Sequence, residues 1–371
     1  MRGLGLALLT ALGVLIPRAF PQDEKPAGHA EDCPKGCAPC SEALKKGLGY
    51  LAARHSKQKK GESFPSVMND HKGIVGTSMV GLAFLAAGNT DSDGPYKANL
   101  VRCRDHIAAW AGKKAEFTWE LAFAGLFLAE LQAASPSDPV KEALQRIVQG
   151  LEKAQLKSGG WGHTEKGGSA TGQKKPGGFA YAECLTVTTL LCLGALAEAR
   201  QCGAKVGDQT LENGIKYVER ASPKEIPGYS EEYPYATEAQ AATRAAAALS
   251  FWARLRGKQD KAVATLAACA RKHFPSVSPT IQDKHPYAIF FLAAAGMYLQ
   301  GKEAWSRTQP FRDAMLKLQR DDGGWDETAA EEKVEGKSYS LFGDHRVYLS
   351  ASYCIILSLP LERLPIVRPA R

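Results

Sequence analysis

No stretch of this chain is both long and apolar enough to cross a bilayer as a helix. The longest apolar run, Leu4–Ile16 behind Met1-Arg2, spans thirteen positions, short of the roughly 20 residues that a hydrocarbon core requires. Its position and its polar sequel after Pro17-Arg18-Ala19-Phe20-Pro21 are those of an export signal. Residues 1–20 are therefore expected to direct export to the periplasm or the cell exterior, with an uncleaved signal anchor as the alternative. Two-residue alternation long enough for a half-buried strand is also missing, and Leu185–Thr189 is the nearest approach, so a substantial sheet is excluded. Blocks of basic residues are missing too. The formal charge of +8 is spread as single Lys and Arg residues without interleaved aromatics, and no nucleic-acid partner is expected.

What the chain does contain is a phrase written twice. Gln155-Leu-Lys-Ser-Gly159-Gly160-Trp161 and Gln319-Arg-Asp-Asp-Gly323-Gly324-Trp325 share Gln-x3-Gly-Gly-Trp with the same spacing. Each stands between an amphipathic stretch and one that is apolar almost all round. Two looser strings, Lys46-Gly47-Leu-Gly-Tyr50-Leu51 and Gly214-Ile-Lys-Tyr217-Val218, keep a Gly, aromatic, aliphatic order and read as degenerate copies. Self-similarity of this kind marks units that cannot bury their apolar faces alone and stack on one another.

Apolar periodicity separates two kinds of helix. Amphipathic segments begin near Ser41, Asn99, Lys141, Thr210, Lys261 and Pro310, each with a single apolar stripe. Each is followed by an apolar segment rich in small residues: Ile74–Ala87, Thr118–Leu131, Tyr181–Leu196, Tyr235–Trp252, Tyr287–Leu299 and Val347–Leu359. A helix that is apolar on all sides must be covered on several sides. The pattern therefore predicts an all-α fold, an (α/α)6 toroid of six inner helices enclosed by six outer ones. Residues 41–371 are expected to form this single domain, and residues 21–40 a flexible Cys-containing arm.

The two full copies resemble the QW repeats of the terpene cyclase and protein prenyltransferase superfamily, a likeness that extends over roughly Ser41–Pro365 at the level of architecture. The resemblance implies an α/α toroid in which Gln155, Trp161, Gln319 and Trp325 are structural, each Gln capping a neighbouring helix end and each Trp stacking beside it. It does not carry the superfamily's chemistry. The Asp-x-Asp-Asp-Thr-Ala acid segment of squalene-type cyclases has its nearest string in Asp326-Glu327-Thr328-Ala329, which lacks the leading acids and reads as a surface turn. The zinc set of the prenyltransferases is not reproduced, because Ala182 stands where Asp should precede Cys184. The Gly-Cys-Gly-Glu-Gln thioester sequence of the complement class is absent.

In a ring of this kind the starts of the inner helices surround one mouth, and the chemistry-bearing residues there are the candidates. Glu120, Glu183, Glu238 and His345 form the catalytic candidate set, since a carboxyl buried in an apolar mouth can serve as a general acid. Acids in a first helical turn also complement the helix dipole, and that structural reading stands beside the catalytic one. Tyr235, Arg244, Tyr287, Arg346 and Tyr348 are the ligand-binding candidates, and Tyr, His and Arg residues of this set would also suit a polysaccharide lyase-like groove. No cofactor and no metal are expected.

Cys33-Pro-Lys-Gly-Cys37-Ala-Pro-Cys40 matches a cluster-binding spacing, but its place behind an export signal points to a disulfide within the trio rather than to a metal. Nine cysteines are odd in number, so at least one is free or pairs between chains. Cys184 and Cys192 are expected to be buried thiols. The leading expectation is thus an exported toroid that binds a small apolar, isoprenoid-like ligand in a central cavity and has no recognisable catalytic motif. A diverged terpenoid or polysaccharide enzyme, with a glycan ligand in the latter case, and an envelope scaffold are the alternatives.

Overall fold

In the computed structural model, residues 37–56, 73–166, 183–223, 227–234, 236–257, 259–279, 289–325, 333–334, 337–338 and 345–367 are described. Residues 1–20, expected to be an export signal, Cys33, residues 167–182, Tyr235, His285, Tyr287 and the string 326–329 lie outside them.

Among the described residues the amphipathic helices are α1 (Cys37–Ser56), α3 (Lys97–Trp110), α5 (Asp138–Ala154), α7 (Asp208–Arg220), α9 (Lys261–His273) and α12 (Gln309–Lys317). The apolar ones are α2 (Ile74–Ala86), α4 (Thr118–Ala134), α6 (Thr186–Gln201), α8 (Glu238–Arg256), α10 (Phe290–Leu299) and α13 (His345–Ser358). α5 shows why the outer set forms. Val140, Ala143, Leu144, Ile147, Val148 and Leu151 recur every three or four residues and are buried, with Asp138 in the first turn and Lys153 in the last complementing the dipole. In α2 every residue is buried, as is the whole span from Thr118 to Leu131 in α4. Two small elements were not foreseen: α11 (Lys302–Ser306) and a hairpin of β1 (Lys333–Val334) with β2 (Lys337–Ser338). No helix among the described residues is long and apolar enough to cross a membrane.

The apolar helices form a closed inner ring. α2 packs on α4, α4 on α6, α6 on α8, α8 on α10, α10 on α13, and α13 back on α2. Close approach at α8 and α10 depends on Gly296, where a Cβ would run into the Ala246 carbonyl oxygen.

Each Gln-x3-Gly-Gly-Trp phrase is a turn that fastens one outer helix to the next. Gln155 Nε2 donates to the carbonyls of Gly159 and, on α7, Thr210, both at 2.8 Å. Gln319 Nε2 does the same to Gly323 at 2.9 Å and to Ala43 of α1 at 2.8 Å. Trp161 and Trp325 donate their indole N–H to Leu151 and Met315 carbonyls at 2.8 Å. Their backbone N–H groups donate to Thr189 and Ser350 hydroxyls at 3.0 Å. The acceptors are Thr210 in the first turn of α7 and Ala43 further along α1, four residues before Gly214 and Gly47 respectively. Those glycines and Tyr50 and Tyr217 belong to the helix that receives the phrase: Gly214 lies on Trp161, Gly47 on Trp325, Gly160 on Tyr217 and Gly324 on Tyr50. The strings read as degenerate copies are the other half of the same joint.

The far end of the ring is stoppered by the chain's C-terminal stretch. A 3-10 turn at Pro365–Val367 packs against α4, α8 and α10. Ile366 N donates to Glu130 Oε1 at 3.0 Å. The Arg254 guanidinium donates to the Pro365 and Ile366 carbonyls and pairs with the buried Glu198 carboxylate. Tyr298 OH donates to Glu362 Oε1 at 2.7 Å.

Candidate functional site

The mouth of the ring is built from the first turns of the inner helices, and loop carbonyls tie those turns together. Thr118 N donates to the His163 carbonyl at 2.8 Å, Leu185 N to Trp161 at 3.0 Å and Thr186 N to Tyr229 at 3.0 Å. Helix-start amides without intrahelical acceptors are thereby satisfied. On α4, Trp119 stacks on Phe117 with centroids 4.7 Å apart and meets His163 edge-on at 4.7 Å.

One turn further in, aromatic rings meet over the axis. Phe123 of α4 reaches Phe291 of α10, on the opposite side of the ring, with centroids 6.3 Å apart. It also meets Tyr348 of α13 edge-on at 5.9 Å. All three are buried, and burial holds the Tyr348 phenol well above its ordinary pKa. At this level the inner helices enclose an aromatic belt, not an open channel.

The candidate acids do not converge there. Glu120 is buried, but its Oε2 accepts the backbone N–H groups of Glu116 at 2.8 Å and Phe117 at 3.1 Å, which is a helix-start cap. Glu183 is exposed. Glu238 is exposed as well, with Oε2 3.2 Å from Nδ1 of His273 on outer helix α9. No contact joins these three among the described residues. His345 opens α13, and its side chain lies outside the described residues.

The ligand-binding candidates divide. Tyr348 is in the belt. Arg244 is buried on α8, donates to the Pro227 carbonyl at 3.3 Å and lies 5.9 Å from the Tyr229 ring centroid. Arg346 belongs to the outer joint instead: it grips Asp322 of the second Gln-x3-Gly-Gly-Trp phrase at 2.8 and 2.9 Å and lies over the Tyr50 ring of α1. Tyr235 and Tyr287 lie outside the described residues. Sequence reasoning missed Trp119, Phe123 and Phe291. The spacing of Trp119 and Phe123, one helical turn apart at the start of an apolar helix, was the signal available.

Cysteine chemistry is muted. Cys103, Cys184, Cys192, Cys202, Cys269 and Cys354 are free thiols. Burial pushes Cys184 up to about 11 and Cys202 up to about 12, which disfavours a thiolate nucleophile. Of the trio Cys33, Cys37 and Cys40, within which a disulfide is expected, Cys33 and the Cys37 side chain lie outside the described residues. No group of three or more His, Cys, Asp or Glu among the described residues could hold a metal ion.

The profile of a family described as a domain of unknown function, DUF6288, matches residues 41–367. The chain belongs to the DUF6288 family. A comparison with curated proteins finds no match. Solved structures similar to this DUF6288 chain include the GH76 α-mannanase BT2949 of Bacteroides thetaiotaomicron, at 10% identity and TM-score 0.59 over 90% of this chain and 98% of that one. A cellobiose 2-epimerase from Bacillus thermoamylovorans aligns at 10% identity and TM-score 0.61, over 87% and 98% of the two chains. A type II terpene cyclase from Scytonema aligns at 14% identity and TM-score 0.54, over 88% and 99%. At such identities the likeness establishes the α/α toroid and nothing about chemistry.

Proposed function

We propose that this DUF6288 chain is an exported binding protein that holds an extended apolar molecule on the axis of its ring, between the mouth and the aromatic belt, and catalyses nothing there. The observation that carries this reading is the pairing of an aromatic belt with acids that are turned elsewhere. Phe123, Phe291 and Tyr348 present apolar surface to the axis, while Glu120 is committed to two backbone amides and Glu183 and Glu238 face solvent. A general acid must reach the proton acceptor it serves, at about 2.6–3.2 Å or through one water. None of these described acids is held toward the belt.

A second reading, an envelope scaffold, is favoured by the rings touching across the axis and by the stopper at the far end. The two readings part on the contents of the ring. Mass spectrometry of an organic extract of the purified full-length protein is expected to reveal a stoichiometric apolar molecule. An empty ring would reject the binding reading and leave the scaffold.

A further inference from the structure

The strap that stoppers the far end of the ring, residues 362–367, is held by buried charges. Glu130 of α4 and Glu198 of α6 are 2% and 1% exposed, and the Arg254 side chain of α8 is 6% exposed. Arg254 divides its guanidinium between Glu198 Oε1 and the carbonyls of Pro365 and Ile366, while Glu130 Oε1 accepts the Ile366 N–H. Glu198 Oε2 is buried and has no hydrogen-bond partner. The strap offers Arg254 and Glu130 backbone atoms alone. Among the described residues, the titratable groups around Glu198 are therefore Arg254, Glu130 and the Cys202 thiol. Arg200, on the same helix, turns outward to Asp208, and Arg363 of the strap lies against Gly88. On the α10 side the Tyr298 phenol is taken by Glu362.

The ring does not need the strap in order to close. Its six inner helices pack in an unbroken cycle, and the turn Pro365–Val367 rests on three of them, α4, α8 and α10. The chain enters the strap from the 3-10 turn Leu359–Leu361 through Glu362, whose φ is 51°. Among the described residues it is the one non-glycine residue at positive φ, a conformation that a side chain with a Cβ adopts at a cost. Release of the strap relieves that backbone and lets water reach Glu198.

We propose that residues 362–367 are a proton-operated latch, which leaves the far end of the ring while the ring itself stays closed, and whose departure is favoured by loss of a proton from Glu198. With Glu198 neutral, the docked centre holds one carboxylate and one guanidinium. Ionised, Glu198 adds a second buried negative charge with an oxygen that nothing solvates, and water supplies what Oε2 lacks once the strap is gone. The sign follows from linkage. Burial pushes the docked Glu198 carboxyl up to about 7 from 4.5, so its contribution to docking is full below about pH 4.5 and is lost as the pH rises to about 7. Departure uncovers the slot that Leu364, Ile366 and Val367, each at most 4% exposed, fill when docked. The latch is independent of what the axis holds.

Hydrogen-exchange mass spectrometry of the full chain from pH 5 to pH 8, corrected for the intrinsic exchange rate at each pH, tests the latch. The Ile366 and Val367 amides, which donate to Glu130 and to the Leu364 carbonyl, are expected to open while those of α4 and α8 stay protected. Their opening should grow at least about tenfold over that range. Glu198→Gln keeps a neutral side chain at every pH, and there the growth should vanish. Tyr298→Phe drops the bond to Glu362 without touching Glu198, so it should raise the opening at every pH and keep the growth. Strap amides that exchange only together with α4 and α8 would make the stopper a fixed one and overturn the latch. Local opening that ignores pH, or that grows equally in Glu198→Gln, overturns it too. Because the wild-type course with pH can overturn it alone, the test stands even if Glu198→Gln does not fold.

Discussion

Gln319 donates its side-chain amide to the carbonyl of Ala43 at 2.8 Å, across 276 positions of sequence. The bond repeats the one between Gln155 and Thr210, so the joint that fastens neighbours within the ring also fastens its last outer helix to its first. Each Gln makes two such bonds, and a typical net worth of about 0.5–1.5 kcal/mol apiece puts Gln319→Leu at roughly 1–3 kcal/mol of lost stability. Gln155→Leu should cost the same in urea unfolding. The two should differ in limited proteolysis, where only Gln319→Leu loosens α1 and exposes it to cleavage, since of the two joints only that one ties the last outer helix to the first.

The glycines of the receiving helices give a test in which two effects oppose each other. Gly→Ala in a helix gains about 1 kcal/mol from backbone propensity. At Gly47 a Cβ would meet Cys354 Sγ and Trp325 Cζ3 at 2.6 Å, and at Gly214 it would meet Leu193 Cδ2 at 2.7 Å and Trp161 Cζ3 at 2.8 Å. Overpacking of that kind costs about 1–3 kcal/mol, so Gly47→Ala and Gly214→Ala should both lower stability. Gly49, two residues along the same helix, has nothing within 4 Å of an added Cβ, and Gly49→Ala should raise the urea midpoint.

Glu120 offers the sharpest contrast between a structural and a chemical acid. Losing a helix-start cap costs about 0.5–2 kcal/mol, so Glu120→Ala should unfold at lower urea. Ligand content, measured in the organic extract, should remain that of the wild-type protein.

The ring was legible in the sequence because its two kinds of helix differ in composition. The expected span Ile74–Ala87 differs by one residue from the observed α2, and Lys261 is the observed first residue of α9. Ends drifted where caps are not written in side chains: α6 begins at Thr186 rather than Tyr181, since the Leu185 and Thr186 amides are taken by loop carbonyls that no local pattern announces. The site was less legible for a related reason. Glu120 and Glu238 share a place in the first turn of an inner helix, yet one is buried on backbone amides and the other pairs outward with His273. Arg346 and Tyr348 are two residues apart on α13, so about 200° of helix rotation sends one to the outer joint and the other to the belt.

Glu198 gives the stability a predictable dependence on pH. Burial pushes its carboxyl up to about 7, against the pull of the Arg254 guanidinium paired with it. The folded protein therefore keeps a proton that the unfolded chain, with a value of 4.5, gives up. Stability from this group is full below about pH 4.5 and is lost as the pH rises to about 7, with a total on the order of 1–3 kcal/mol. Glu198→Gln cannot titrate, so its urea stability should change less than that of the wild-type protein between pH 5 and pH 8. A variant that follows the wild-type slope would place the titration elsewhere.

Phe123→Ala separates an axis that opens from one that is solid. Removing a buried Phe ring costs about 3–5 kcal/mol when the space cannot collapse, and opposite helices α4 and α10 are held apart by the rest of the closed ring. The variant should therefore carry a cavity where the belt was, and an apolar alcohol such as farnesol should raise its melting temperature by mass action. The wild-type response decides the matter. If the belt parts to admit ligand, farnesol also stabilises the wild-type protein, by less than the variant because the Phe123 ring must first be displaced. If farnesol stabilises the variant alone, the native rings are a permanent filling, and function lies on the rim of a solid ring rather than along its axis.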